Sequence, residues 1–522
     1  MPNSSPPRTE APEAHAPKAW EWATPWLVGV LALAIYVSTA APSLTWAHHG
    51  ADGGDFIAAA MTCGVPHPSG YPTYMLIGRL FALLPFGPLA RRFNLLSATT
   101  AAIAAALAAV VSRRIATRNV GDPAPTWWPV VAQVAGGTMV AFAPAIWSQA
   151  LIAEVYTLHL AILASLLAMA IVPSKLTEWR GLALGVLAGI GIGNHLTLAL
   201  ALPGVAILSW RKLTKRGGVA AGVGSLLGLG VYIYPPLAAR GLPPVSWGNA
   251  ATLSGFWWLV SGQLYHRYAL AASWPQVAQR LLAAIGLWRE QFGLLGVALT
   301  FLGIYGWIEG QRWRLLAGTG SVCVLMLAYA ATYQTADSML YLLPCYLVGA
   351  VWIVAGGDWL ARIVLMETGL RDKWVFPLIG ALLIAMPTTR AIGCYDSLDL
   401  SDDHEAEAWL SEALATLPED AAFLSVEDRH TFALWYATYA QKRRPDVLVV
   451  DVDLYVEPWY REQVWRQADL KAETPETLDG LVTALCDRRS VYIGTNRFDL
   501  VQRYRLARHG PVWQLACENE QP

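Results

Sequence analysis

The sequence predicts a polytopic α-helical membrane protein that ends in a small α/β domain. Three observations lead there. Of 522 residues, 55% are hydrophobic and only 14% charged, whereas soluble globular domains carry about 25% charge. Uncharged apolar runs recur at roughly 20 residues, the length a helix needs to cross about 30 Å of hydrocarbon. From about Cys394 onward the composition turns charged, and short β-branched runs alternate with helical patterns. A net charge of −1 gives no case for nucleic acid.

Residues 1–24 form the expected cytoplasmic N-terminus, and the first 18, rich in Pro, Ala and Glu, read as disordered. They lack the basic n-region, apolar h-region and cleavage site of a signal peptide. The membrane domain is expected over 25–392. Its first span runs from about Pro25 to Trp46, with Trp20, Trp22, Trp26 and Trp46 as interfacial anchors. A polar loop at 47–92 follows, then spans near 93–112, 127–147 and 157–173. The apolar stretch 181–210 is too long for one untilted span and too short for two full ones, so it reads as two short helices meeting at Asn194-His195. Further spans lie near 217–237, 283–307, 315–333, 339–357 and 374–391, giving about eleven crossings.

Basic residues set the orientation. With the N-terminus inside, the inner loops hold Arg113, Arg114, Arg118, Lys175, Arg180, Arg211, Lys212, Lys215, Arg216, Arg312, Arg314, Arg362, Arg371 and Lys373. The longer outer loops hold only Arg79, Arg91, Arg92, Arg240, Arg267 and Arg280. Cytoplasmic loops are enriched in Lys and Arg, so the loop at 47–92 and residues 393–522 fall outside. Phe56–Cys63, Tyr71–Leu84 and the aromatic-rich 240–282 read as short helices lying on the outer surface. In the C-terminal domain, Ala421–Val426, Val447–Val452 and Val491–Gly494 read as strands of a parallel sheet, with helices over Thr431–Arg443 and Trp459–Gln467. Cys486 and Cys517 can pair if the domain lies in an oxidising compartment; Cys323 and Cys345 read as packing residues. No metal-ligand spacing, phosphate loop or GxSxG elbow occurs, so neither a metal nor a cofactor is expected.

The chemistry-bearing residues gather in the outer loops. Asp52-Gly53-Gly54-Asp55 places two carboxylates three residues apart on a helix start, where both face one side. A carboxylate there can act as general base toward a hydroxyl; Asp55 can equally cap the helix that follows. Arg92, beside Arg91 and Asn94, can grip a phosphate or snorkel to the headgroups. Glu154, before Tyr156, is the sole charge of a short outer loop, and an ionisable group at that depth is a functional candidate or a helix-end residue. Asn194 and His195 lie at a helix break of the kind that lines cavities, though a structural histidine also fits. Gln263, Tyr265, His266 and Arg267 add polar groups in the long outer loop, and Asp337 is the lone acid of another.

These residues together resemble the protein O-mannosyltransferases of the transmembrane-protein-260-like family. The resemblance rests on Asp52-Gly-Gly-Asp55-Phe, Val65-Pro-His67-Pro-Ser-Gly-Tyr-Pro, Arg92-Phe-Asn94-Leu-Leu-Ser97, Glu154-Val-Tyr156, Gly193-Asn194-His195, Gly262-Gln-Leu-Tyr265, Ala336-Asp337-Ser with Tyr341-Leu-Leu-Pro344, and Phe432-Ala-Leu-Trp435-Tyr436 with Arg444-Pro-Asp446. It implies a GT-C glycosyltransferase fold, a polyprenyl-phosphate sugar as donor, and a catalytic acid in the first outer loop. The family pattern is usually Asp-Ser-Gly-Glu-Phe, so Asp55 is one methylene shorter than the usual Glu, and Ser69 stands where a proline is usual.

The expectation is therefore an inverting transfer of a sugar, mannose by resemblance, from a polyprenyl-phosphate carrier to a Ser/Thr hydroxyl of an exported protein. Asp52 is the expected base and Asp55 its partner. Arg92, His67 or His195 would face the lipid phosphate, and Glu154 and Asp337 the sugar hydroxyls. Asn94, Tyr156, Asn194 and Tyr265 complete the expected substrate-binding set. The expected setting is a bacterial plasma membrane, with membrane lipids as neighbours. A scaffold or accessory subunit that kept the fold without catalysis is one alternative. A transporter is another, against which no inverted internal repeat is visible.

Overall fold

The computed structural model describes residues 19–116, 124–171, 175–470, 476–495 and 504–517. The disordered stretch expected at 1–18, and Arg118, lie outside these.

The chain opens with α1 (Ala19–Thr39), then α2 (Gly53–Met61) and α3 (Pro72–Ala82) in the first outer loop, and α4 (Leu89–Ala116). Next come α5 (Trp128–Ala141), α6 (Pro144–Ala150), α7 (Tyr156–Ile171), α8 (Glu178–Asn194), α9 (Leu198–Ser209) and α10 (Lys215–Leu229). The second long outer segment holds α11 (Tyr234–Arg240) and α12 (Leu253–Ser261). Four long helices follow: α13 (Trp274–Glu309), α14 (Trp313–Thr332), α15 (Leu343–Thr368) and α16 (Asp372–Leu398).

Every expected span falls on a helix, but the lengths differ. Among the described residues six helices are long and apolar enough to cross a membrane, or seven if the bent pair counts as one span. That pair, α5 and α6, turns by 64° at the Phe142–Ala143 break, where the sequence predicts a continuous span over 127–147. Pro144 stands at the first position of α6, where its missing N–H costs no hydrogen bond. The helices α1, α7 and α9 are apolar but shorter. The break expected at Asn194-His195 is present: α8 ends at Asn194, and His195 is extended. The α8–α10 pair shows how closely such helices pack. A Cβ on Gly185 would stand 2.0 Å from the Ala221 carbonyl oxygen, and small residues let membrane helices approach in this way. In the middle of the bundle, α4 packs on α1, α5, α7 and α15, and α15 packs on α13 and α16.

The C-terminal part begins with α17 (Glu405–Thr416) and carries α18 (Asp428–Trp435), α19 (Pro458–Gln467) and α20 (Leu478–Cys486) around a five-stranded sheet. Its strands are β1 (Ala422–Ser425), β2 (Leu448–Asp451), β3 (Val491–Ile493), β4 (Leu506–His509) and β5 (Val512–Leu515), in the order β2-β1-β3-β5-β4. The first three pair in parallel, with Ala422 opposite Leu448 and Val491. The sheet is mixed rather than all-parallel, because β5 joins β3 antiparallel and closes a hairpin with β4. A two-residue turn can join only antiparallel neighbours. The β1–β3 strands are fully buried, while β4 is an exposed edge carrying Arg508 and His509, a charged edge that resists further pairing. Cys486 and Cys517 are joined by a disulfide.

One expectation fails in an informative way. The helix α2 does not lie on the outer surface: Gly53 through Ala60 are all buried. It is held between the bundle and α18.

Candidate active site

Gly54 explains how α2 can be buried there. A Cβ at this position would stand 2.2 Å from the Phe432 carbonyl oxygen, so only glycine lets the backbones of α2 and α18 meet. The loop before α2 is clamped by the same domain. Thr45 Oγ1 donates to the Asp403 carboxylate and Trp46 Nε1 to the Arg429 carbonyl at 3.2 Å. The Arg429 guanidinium lies 5.3 Å over the Trp46 ring, a cation–π contact.

Within this frame the two aspartates diverge. Asp55 has no exposed surface, and both carboxylate oxygens are engaged. Oδ2 accepts the His67 backbone N–H at 2.9 Å and its Nδ1–H at 2.8 Å, while Oδ1 accepts Trp247 Nε1 at 3.2 Å. The imidazole therefore presents Nε2 to Asp52, whose Oδ2 lies 3.6 Å away. Asp52 itself keeps 40% of its side chain exposed, and no hydrogen bond to its carboxylate is made within the described residues. The order is Asp55, His67, Asp52, running from a saturated carboxylate to an open one. This is the arrangement by which a buried acid fixes the tautomer of a histidine.

Electrostatics follow the same order. Burial raises the Asp52 carboxyl above the usual carboxylate range; the His67 charge opposes this, and Asp55 and Asp337 add to it. Burial alone would lower the His67 imidazole, but the carboxylates of Asp52 and Asp55 outweigh it and hold it above its ordinary value. The rings of Phe56 at 5.0 Å, Tyr71 at 5.0 Å and Trp247 at 6.1 Å enclose His67, and Phe432 stacks at 6.5 Å.

Glu154, Tyr156, Asn194, His195, Tyr265 and Asp337 are brought toward this centre. The buried Glu154 carboxyl is raised well above its usual range, first by burial and then by the charges of Asp52 and Asp337. Tyr156 Oη reaches Asp337 Oδ2 at 3.5 Å. Asn194 Nδ2 donates to the Val155 carbonyl at 3.0 Å, which ties the α8 break to the Glu154 loop. The fields of Asp52, Asp428 and Asp55 all reach the Tyr265 phenol.

Arg92 and Asn94 are not brought there. Arg92 donates to the Ala82 carbonyl at 2.5 Å and to the Gly87 carbonyl at 3.1 and 3.2 Å, closing the turn between α3 and α4. Arg91 gives its donors to Val37, Ala40 and Ala41 at the C-terminal end of α1, where a cation also suits the helix dipole. Asn94 Nδ2 holds the Ala41 and Ser43 carbonyls at 2.8 and 3.1 Å. Where a phosphate grip is expected of Arg92, the structure shows three of its five N–H groups spent on the backbone carbonyls of the α3–α4 turn.

Two contributors escaped the sequence. Trp247 sits in an aromatic-rich loop with nothing local to mark its bond to Asp55. Asp428 opens α18, one helical turn before Phe432, and so shares the face that meets His67. Burial, then the charge of Asp52, lifts its carboxyl to about 6. Only the Phe432-Ala-Leu-Trp435 run nearby gave a hint. Among the described residues no group of three or more His, Cys, Asp or Glu side chains could hold a metal ion.

Comparison with known proteins accords with this architecture. Residues 52–217 match the family model described as the protein O-mannosyl-transferase TMEM260 N-terminal domain, and 406–502 match TMEM260-associated domain 2. Mouse protein O-mannosyl-transferase TMEM260 is 26% identical over 485 residues, covering 85% of this chain and 66% of the mouse protein; the chain thus spans just under two thirds of that relative. The crystal structure of ArnT from Cupriavidus metallidurans bound to undecaprenyl phosphate superposes with a TM-score of 0.59 at 12% identity, covering 97% of this chain and 100% of ArnT. At that identity the likeness speaks for the fold, a GT-C-like helical membrane architecture. The first domain model begins at Asp52 and the second takes in the α18 segment that packs on it, so the matched regions are those that build the site, and on both the chain is similar to the TMEM260 protein O-mannosyl-transferases.

Proposed function

We propose that the chain is a glycosyltransferase that moves mannose from a polyprenyl-phosphate carrier to a Ser or Thr hydroxyl of an exported protein, with inversion. The observation that carries this reading is the Asp55–His67–Asp52 order: one carboxylate spent on orienting a histidine, the other left open to a substrate. The acceptor hydroxyl gives its proton to Asp52, and its oxygen attacks the anomeric carbon. The bond from that carbon to the phosphate oxygen breaks, and polyprenyl phosphate leaves with the electron pair. His67, whose imidazole the two carboxylates hold above its ordinary value, pulls the Asp52 carboxyl down and so favours the ionised form needed for the first event. The likeness to TMEM260 supports the mannosyl donor and protein acceptor. The ArnT likeness supports a polyprenyl carrier, since that protein was crystallised with undecaprenyl phosphate.

We infer eleven crossings, counting the shorter helices with the six or seven long ones, and a cytoplasmic N-terminus, so that the site and the C-terminal domain lie outside a bacterial plasma membrane. The Lys/Arg bias supports this, and so does the Cys486–Cys517 disulfide, which belongs to an oxidising compartment. The shorter acid at 55 does not favour a catalytically silent scaffold, because Asp55 already reaches three donors.

The test uses the purified full chain with a panel of radiolabelled polyprenyl-phosphate sugars and exported acceptor protein. Consumption of the mannosyl donor, with mannose recovered on Ser or Thr in the opposite anomeric configuration, is the expected result. Label that stays on the lipid with every acceptor, or retained configuration in the product, overturns the reading.

A further inference from the structure

The helix break beside the catalytic loop contains polar atoms that the protein itself leaves unpaired. His159, on the first turn of α7, is buried, and neither Nδ1 nor Nε2 has a hydrogen-bond partner among the described residues. Asn194 is fully buried; its Nδ2 is used on Val155, but its Oδ1 has no partner there either. Each such atom costs about 1–3 kcal/mol when nothing satisfies it, and native proteins rarely leave several together. These are together: the His159 and His195 rings lie 5.6 Å apart, and His195 follows Asn194 directly. His195 is fixed by Thr197, whose Oγ1 is 2.7 Å from Nδ1. Aromatic faces surround it, with Tyr156 at 5.6 Å, Tyr341 at 5.7 Å and Tyr71 at 6.0 Å.

The chemistry of this locus selects among the parts of a lipid-linked sugar. The charged groups whose fields reach Tyr156 and His195 are Asp337, Glu154 and His67, with no lysine or arginine among them. The Asp337 side chain at the rim opposes a phosphate, and Glu154, whose neutral form burial favours, offers it no positive partner. Neutral donors and acceptors between aromatic faces suit instead an uncharged ring, with hydroxyls on its edge and C–H groups on its faces.

We propose that His159, Asn194 and His195, with Tyr71, Tyr156 and Tyr341, form the subsite for the neutral hexose ring of the donor, in which Asn194 Oδ1 and the His159 ring nitrogens pair with ring hydroxyls. This rests on the reading of the chain as a lipid-linked sugar transferase and adds which part of the donor sits where. The phosphate then lies outside the break, and the anomeric carbon lies between it and the Asp52 side.

The test is calorimetric binding to the full-length protein in detergent, with polyprenyl-phosphate-mannose and polyprenyl phosphate as separate probes. His159→Phe fills the same space without hydrogen bonds, so thermal stability is held or raised. It is expected to weaken the mannosyl lipid at least tenfold and leave polyprenyl phosphate unchanged. Tyr341→Leu, which removes an aromatic face from the same subsite, is expected to give the same split and stands in if His159→Phe does not fold. Equal weakening of both lipids assigns the locus to the phosphate and overturns the proposal, as does unchanged binding of both. Wild-type protein that binds the two lipids equally also overturns it. Wild-type protein that binds neither removes the transferase reading, and the subsite with it.

Discussion

Two polar clusters flank the contact of α2 with α4, and they are built on opposite principles. In Arg91, Arg92 and Asn94 the donors are committed to backbone carbonyls of α1, of the loop after it and of the α3–α4 turn. In Asp52, Asp55 and His67 the bonding is one-sided: Asp55 is saturated and Asp52 is left open. Both clusters look alike in the sequence, as charged groups at the mouth of a span. What separates them is whether bonding capacity remains once the fold is complete. A saturated cluster fixes a loop; an unsaturated one can act on something else.

Substitutions should pull the clusters apart. The largest effect is expected at Asp52: Asp52→Asn keeps the shape and removes the base, so the single-turnover transfer rate should fall by about 10²–10⁴-fold with little change in melting temperature. Transfer by the Asp52→Asn variant at the wild-type rate would end the distinction. Asp55→Asn should damage both properties. It removes one of the two carboxylates that face the buried His67 and weakens the acceptor of its Nδ1–H and backbone N–H, a loss of about 1–3 kcal/mol, read as a lower thermal midpoint alongside slower transfer. Asn94→Ala strands the Ser43 carbonyl and leaves Ala41 to Arg91 alone; it should cost about 1–3 kcal/mol, yet turnover per folded molecule should stay near wild type. A large loss of turnover in well-folded Asn94→Ala would join the two clusters functionally.

The smallest effect lies in the pH profile. Asp52 works when ionised, so transfer should rise with pH along an acid limb whose midpoint exceeds the ordinary carboxylate value. His67 depresses that midpoint, so His67→Gln should move the limb to higher pH. Asp337 raises it, so Asp337→Asn should move the limb lower, each by about one unit or less. For stability the sign is set by His67. Its folded-state value is raised, so its contribution is complete below about 6.5 and fades as pH climbs through the folded value.

The positions of the helices were legible because hydrophobic runs are local, and so was the break at Asn194-His195, where glycine and amide residues interrupt an apolar stretch. Lengths were less legible: the α5–α6 bend falls where Ala143 is extended directly before Pro144, a break that the uninterrupted apolar run over 127–147 masked. The candidate site was half visible. Asp52, Asp55, His67 and Glu154 announce themselves as ionisable groups in short loops. Arg92 misled because sequence records that a guanidinium is present, not that the Ala82 and Gly87 carbonyls will consume it. Trp247 and Asp428 were invisible because the residues they meet lie far away in sequence, 192 positions in the case of Trp247 and Asp55. The burial of α2 was missed for the same reason, since its partner α18 lies in another domain.

The meeting of Gly54 with Phe432 has a consequence in time. A chain emerges from the ribosome N-terminus first, and its domains fold as units in that order. The segment bearing Asp52 therefore leaves the ribosome while α18 has yet to be made. During that interval His67 has no Phe432 above it, and Trp46 has no Arg429 to hold it. A nascent molecule thus carries Asp52 and Asp55 in an unassembled form, and a segment made more than 300 residues later completes their surroundings.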